Sequence, residues 1–202
     1  MKQIKPIETS YKGYRFRSRL EARWAVFFDA CGVDWEYEPE GFDLGGGLCY
    51  LPDFLLHGVE GRDGGDLYVE VKGQMTDHDA RKINRFASLG MRENHGCGKS
   101  KTAILVVGSI PPGDTMKEIT RYISDEAYND HRGWPNYYNF ETIDGDYFAA
   151  HPGISWDGGF ELFGDDGSYL CEMNPEATEK AFRKARQARF EFGETPDSGR
   201  CR

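Results

Sequence analysis

Three ionisable residues sit inside short apolar runs. Asp53 lies in Leu51-Pro52-Asp53-Phe54-Leu55-Leu56, and Glu70 and Lys72 lie in Leu67-Tyr68-Val69-Glu70-Val71-Lys72-Gly73. Runs of this composition read as strands, and a charge lodged in one needs a partner or a metal. The Gly- and Asp-rich segment from Gly58 to Asp66 reads as a turn, which makes the two runs a hairpin. A pairing symmetric about that turn sets Asp53 opposite Glu70, and the period of two along a strand puts Lys72 on the face of Glu70. Two carboxylates and an ammonium then converge, a set that suits a hard divalent cation such as Mg²⁺, with Mn²⁺ able to substitute. A bare Glu-x-Lys more often marks a solvated sheet face with cross-strand ion pairs. Pro52-Asp53 on the preceding strand, and the helix that comes before it, shift the balance towards a site.

The elements that must position these residues follow from spacing. Tyr11 to Arg17 is a basic, aromatic lead-in, read equally as a short strand touching phosphates or as a solvated arm. Ser18 is a helix cap, and Leu20, Trp24, Phe27, Phe28 and Cys31 recur at helical spacing until Gly32. Glu21 stands three residues after Ser18 and so completes a capping box. Val33, Trp35 and Tyr37 alternate with acidic residues in a half-buried strand, and Leu48 to His57 forms the strand that carries Asp53. Thr76 with Asp79 opens a second helix through Ile83, Phe86, Ala87 and Leu89, and Ala103 to Val107 is a buried parallel strand. The order is helix, three strands, helix, strand.

Pro52-Asp53 followed by Glu70-Val71-Lys72 on the next strand resembles the PD-(D/E)xK nuclease superfamily. Arg17-Ser18-Arg19-Leu20-Glu21-Ala22-Arg23-Trp24, Glu36-Tyr37-Glu38-Pro39 and Tyr50-Leu51-Pro52-Asp53-Phe54 resemble the nuclease subunit of heteromeric transposases and small phage-encoded endonucleases and resolvases. The resemblance covers about residues 11 to 108. It implies an α/β fold with a restriction-endonuclease-like core, α-β-β-β-α-β, whose mixed four-stranded sheet is flanked by helices. It further implies a metal-dependent DNA endonuclease of phage type, acting on branched or double-stranded DNA in recombination, replication or defence. Asp53, Glu70 and the Val71 carbonyl would hold Mg²⁺, Lys72 would act on the attacking water, and Glu21 would reach the metal. That last role is partly exclusive of the capping role. A homodimer is implied by analogy with resolvases. The alternatives are a non-catalytic nucleic-acid-binding or assembly module of the same fold, and an RNA nuclease.

The 202 residues carry a formal net charge of −9, which counts against a nucleic-acid partner unless the cations are segregated. They are. Lys12, Arg15, Arg17 and Arg19 make the beginning basic, and Lys180, Arg183, Lys184 and Arg186 concentrate charge near the end. Both groups are candidate DNA contacts, and Gln74 at the strand exit is a candidate to orient a water or phosphate, with plain loop hydrogen bonding as the stronger reading. Five scattered cysteines without a Cys-x-x-Cys pair argue against a disulfide framework and a structural zinc site. Gly98-Lys99-Ser100 lacks the leading glycine of a P-loop, so no nucleotide cofactor is expected. The sequence has no long apolar window and no signal-like start, so a cytoplasmic protein without a membrane partner is expected, in the bacterial host if phage-encoded.

Three segments are expected. Residues 1–110 form the nuclease core with its basic arm, 111–192 an aromatic-rich α+β extension ending in a basic helix, and 193–202 a disordered tail. In the extension, a short helix runs through Ile119, Tyr122 and Ile123, and hairpins are expected across Asp144-Gly145 and Asp165-Asp166-Gly167-Ser168. Its aromatics are read as a small subdomain's core in preference to base-stacking platforms. Asn174-Pro175 starts a helix with an alanine stripe, Ala177, Ala181, Ala185 and Ala188, and a basic opposite side.

Overall fold

The computed structural model describes residues 7–60, 65–90, 104–127, 138–140, 147–164 and 170–190. The basic lead-in is a hairpin of β1 (Thr9–Tyr11) and β2 (Tyr14–Phe16). It is docked on the body and is not a free arm. Asp29, buried in the first helix, accepts hydrogen bonds from Tyr11 Oη and Lys12 Nζ, both at 2.6 Å, and from Trp35 Nε1 at 3.1 Å. That helix, α1 (Arg19–Cys31), begins at Ser18, whose Oγ accepts from the Glu21 N–H at 3.2 Å. It ends at Gly32, which turns left-handed with a φ of 74°. The next N–H, of Val33, reaches back to the Phe28 carbonyl at 3.0 Å, and this αL ending favours glycine.

The remaining elements are β3 (Trp35–Tyr37), β4 (Phe42–Asp43), β5 (Cys49–Tyr50), β6 (Phe54–Glu60), β7 (Gly65–Val71), α2 (Asp77–Gly90), β8 (Ile104–Val107), α3 (Met116–Ala127), β9 (Tyr138–Phe140), β10 (Tyr147–Ile154), β11 (Phe160–Gly164) and α4 (Pro175–Gln187). The chain is mixed α/β, with four helices among the described residues. Strands β3, β6 and β7 form an antiparallel meander, and α2 carries the chain across to β8, which lies parallel to β7. The expected strand from Leu48 to His57 is two strands. Leu51, Pro52 and Asp53 break it, leaving β5 paired with β4 in a small hairpin of its own while β6 joins the main sheet. Proline's missing donor explains a break at this point.

The sheet does not stop at β8. It runs on through β9, β10 and β11 to seven strands in the order β11-β10-β9-β8-β7-β6-β3. Among the described residues, strands from both sides of the expected boundary near residue 110 thus share one sheet. Ala150, Ile154 and Phe160 lie in the same buried cluster as α1, Phe54 and Val69. The described hairpin in this part is β10–β11, turning through Trp156 to Gly159. The turns expected at Asp144-Gly145 and at 165–168, the tail and the loop with Gly98-Lys99-Ser100 lie outside the described residues.

Alternation along the strands builds two faces. Leu67, Val69 and Val71 of β7, with Leu105 and Val107 of β8, face α1, α3 and α4. Tyr68, Ile104 and Val106 face α2 and the β4–β5 hairpin. The alanine stripe does what its spacing suggests, since Ala181 and Ala185 are fully buried and let α4 approach α1 closely enough for the Phe27 and Phe182 rings to meet at 4.4 Å. No helix among the described residues is long and apolar enough to cross a membrane.

Candidate active site at the end of the central hairpin

The register brings the expected pair together, although it shifts between Leu56 and Glu60 and is not one symmetric ladder. Phe54 pairs with Val69 and Leu56 with Leu67, so one residue beyond the ladder Asp53 meets Glu70. The Asp53 N–H donates to the Val69 carbonyl at 3.1 Å, and its Oδ2 accepts from the Val71 N–H at 2.7 Å. Glu70 and Lys72 share a face, with Nζ 2.7 Å from Oε1. Both carboxylates are buried, at 3% and 4% exposure, the deepest of the four buried carboxylates among the described residues.

Each carboxylate is held by a cation and a further donor. Arg17 pairs with Asp53 Oδ1 through Nη2 and with Glu38 through Nε at 2.9 Å. Tyr50, delivered by the β4–β5 hairpin, donates its hydroxyl to Glu70 Oε2 at 2.6 Å. Asp79, in the first turn of α2, stands 3.4 Å from Lys72 Nζ through Oδ1 while its Oδ2 accepts from the Thr76 hydroxyl at 2.6 Å. The capping residue thus also supports the lysine. A cavity of about 440 Å³ opens over Glu70, Lys72, Arg17, Tyr50, Asp79 and Lys82.

Burial and the facing Glu70 push the Asp53 carboxyl up to about 8, against the lowering effect of the Val71 N–H and of Arg17. Burial works to lower the Lys72 ammonium, but the carboxylates of Glu70, Asp53 and Asp79 outweigh it, so its pKa ends above the ordinary lysine value. Lys72 is therefore a charged donor at neutral pH and not a free base. Burial, then Glu70, holds the Tyr50 hydroxyl well above its usual pKa, which keeps it a donor.

Glu21 is buried and fully engaged. Oε1 accepts from the Ser18 hydroxyl at 2.7 Å, and Oε2 accepts from the Tyr37 hydroxyl and from the Arg17 N–H at 3.1 Å. The Ser18 half of the capping box is present, and the carboxylate is folded back on its own helix start, where it accepts from the Ser18 hydroxyl and the Arg17 N–H in place of the Ser18 N–H. Among the described residues no three His, Cys, Asp or Glu side chains form a metal-binding group. Two carboxylates remain, and Mg²⁺ commonly takes only one or two from a protein and keeps several waters. In this structure Arg17 faces Asp53 and Lys72 faces Glu70, the two side chains that would be left to hold such an ion.

The other residues marked as DNA contacts are spread out. Lys12 is tied to Asp29, Arg15 to Glu8, and Gln74 is exposed in the turn before α2. On α4, Lys180 is exposed, Arg183 lies 3.8 Å from Asp114, Lys184 is half-buried, and Arg186 donates to the Pro111 carbonyl at 2.8 Å and pairs with Asp114. Helix α4 packs on the α1 side of the sheet, the opposite side from Glu70. Sequence reasoning missed Tyr50 as a partner of Glu70, Asp79 as a partner of Lys72 and Arg17 as a partner of Asp53. The Tyr50-Leu51-Pro52-Asp53 run contained the first, but nothing in its spacing tells that the chain folds back there. No family model matches the chain, and neither do curated proteins or solved structures.

Proposed function

We propose that the chain is a metal-dependent endonuclease hydrolysing DNA phosphodiesters, built on a restriction-endonuclease-like core of the PD-(D/E)xK type. The observation that carries this reading is the convergence of buried Asp53 and Glu70 with a charged Lys72, of which Glu70 and Lys72 line an open cavity. A solvated ion-pair face would not bury two carboxylates. Asp53 and Glu70, with the Val71 carbonyl, are the donors for Mg²⁺ or Mn²⁺, and a bound ion would supply the positive charge that acidifies a water and neutralises the phosphate. Lys72 points its ammonium at the same space, where it orients the attacking water and stabilises charge on the phosphate oxygens. Glu70 and Asp79 hold that ammonium in place from two sides, and Tyr50 fixes Glu70. Water displaces the leaving oxygen from phosphorus directly, and no enzyme nucleophile is needed. Glu21 stays in its cap in this reading, and its part is to anchor Tyr37 and the Arg17 backbone beside Asp53.

The test is cleavage of end-labelled duplex, single-stranded and four-way-junction DNA, with matched RNA, in Mg²⁺, Mn²⁺ or EDTA. Cutting that requires metal and falls at least about a hundredfold in both Asp53→Asn and Lys72→Ala is expected. Absence of cutting on every substrate and metal, with DNA bound equally by all three proteins, would replace the enzyme by a binding module.

A further inference from the structure

A second cavity, of about 580 Å³, lies between the start of α1 and the end of α4, lined by Arg19, Arg23, Arg186, Gln187, Arg189 and Phe190. Four arginines line it in a chain whose net charge is −9, and no carboxylate is among the described residues that line it. Asp114 compensates Arg186 from outside, and together with the Pro111 carbonyl it fixes that side chain, which is only 18% exposed. Arg23 is held differently. It is half-buried in α1, and its Nε is shielded from solvent without a hydrogen-bond partner among the described residues. Arg186 has its counter-charge in Asp114, so what invites an anion is the shielded, unmatched Arg23 donor in an arginine-lined void. Planar guanidinium forks match phosphate oxygens two at a time, so the anion that fits best is a phosphate.

We propose that this arginine cleft is a second, non-catalytic site that holds a phosphate of a nucleic-acid strand. The inference rests on nucleic acid being the partner of the chain, as in the reading above. Connectivity supports it, because Arg19 in the cleft and Arg17 at Asp53 are two residues apart, so their Cα atoms are at most about 7 Å from each other. The segment leading into α1 thus contributes one arginine to each of the two cavities, Arg17 to the first and Arg19 to the second.

Binding measured by fluorescence anisotropy in EDTA separates this from catalysis. Labelled duplexes with 5′-phosphate or 5′-hydroxyl ends are titrated at several salt concentrations against the wild-type chain, Arg23→Gln/Arg189→Gln, Arg189→Gln alone and Arg23→Lys. The double variant is expected to bind about tenfold more weakly, with the slope of log affinity against log salt reduced by about one. Arg23→Lys, which keeps the charge but not the fork, should fall between it and wild type. A defect confined to 5′-phosphorylated ends assigns the cleft to a terminal phosphate, and one shared by both duplexes assigns it to the internal backbone. Arg189 is exposed, so its single variant tests the cleft even if altering Arg23 harms folding. Wild-type affinity and salt slope in the variants, or no salt-dependent binding by the wild type, overturns the proposal. Weakened binding in the double variant alongside a wild type that cuts nothing would retain the cleft and reject the nuclease, and unchanged binding alongside metal-dependent cutting would do the reverse.

Discussion

The two faces of the central sheet are built on different terms. On the α1 side, Phe54, Leu56, Leu67, Val69, Leu105 and Val107 meet Trp24, Phe27, Phe28 and Phe182 in a cluster that is almost wholly apolar. On the α2 side the packing of Ile83, Phe86, Ile104 and Val106 is interrupted at one end by Glu70, Tyr50 and Lys72, with Asp53 beside them. Apolar replacement of buried ion pairs is often neutral or stabilising, so stability alone does not account for charges in that position. The difference teaches where to look for function. The cluster on one face is explained by shape and transfer from water, and the buried charges on the other are what the proposed function would account for.

Truncating the apolar face should produce the largest loss of stability. Phe182→Ala removes a fully buried ring that touches Trp24 and Phe27, and it should cost about 3–5 kcal/mol, read from the shift in urea midpoint. The comparison is broken if that substitution is tolerated within about 1 kcal/mol, because α4 would then be an appendage and not part of the core.

The charged face should respond to pH where the apolar face does not. Asp53 is raised to about 8 in the folded chain and returns to an ordinary value near 4 on unfolding. Between these values the folded state binds a proton that the unfolded state lacks. Its contribution to stability is therefore fully present at low pH and is lost as pH rises through about 8. Thermal unfolding in EDTA across that window should show a decline in the wild type that is absent or shallower in Asp53→Asn. Parallel profiles would mean that Asp53 is ionised in the folded chain and that Arg17 and the Val71 N–H outweigh burial. Divalent metal should reverse the trend, since binding to the carboxylate displaces the proton.

Much of this was legible in the residues, for definite reasons. Two apolar runs flanking a turn mark a hairpin, and period two ties Lys72 to Glu70, whereas the register shift between Leu56 and Glu60 that sets Asp53 against Glu70 has no signal in the spacing. Capping at Ser18, Thr76 and Asn174 and the αL ending at Gly32 rest on side-chain-to-backbone chemistry within a few residues, and all four are present. What escaped depends on contacts distant in sequence. Tyr50 reaches Glu70 only because the chain breaks at Pro52 and folds β5 back onto β4. The continuation of the sheet through β9 to β11 was hidden because Gly and Asp interrupt the aromatic runs of that region, where no strong alternation marks strands that join an existing sheet. Arg17 and Asp79 were noticed for one role each, and the structure adds another to both.

The smallest effect tests the boundary between scaffold and site at the start of α1. Ser18→Ala removes the acceptor of the Glu21 N–H and one donor to its carboxylate, and should cost about 1 kcal/mol. Glu21→Gln keeps an oxygen for the cap but not both of the acceptors that Tyr37, Arg17 and Ser18 use, so its cost should be similar and should not add fully to the first. A double-mutant cycle on unfolding free energy measures that coupling. Coupling of about 0.5 kcal/mol or more, with metal affinity unchanged in Glu21→Gln by calorimetry, keeps Glu21 with the helix. Additive stability effects with a marked loss of metal affinity would move it into the site, because a carboxylate cannot both close its own helix end and face a metal beside Asp53.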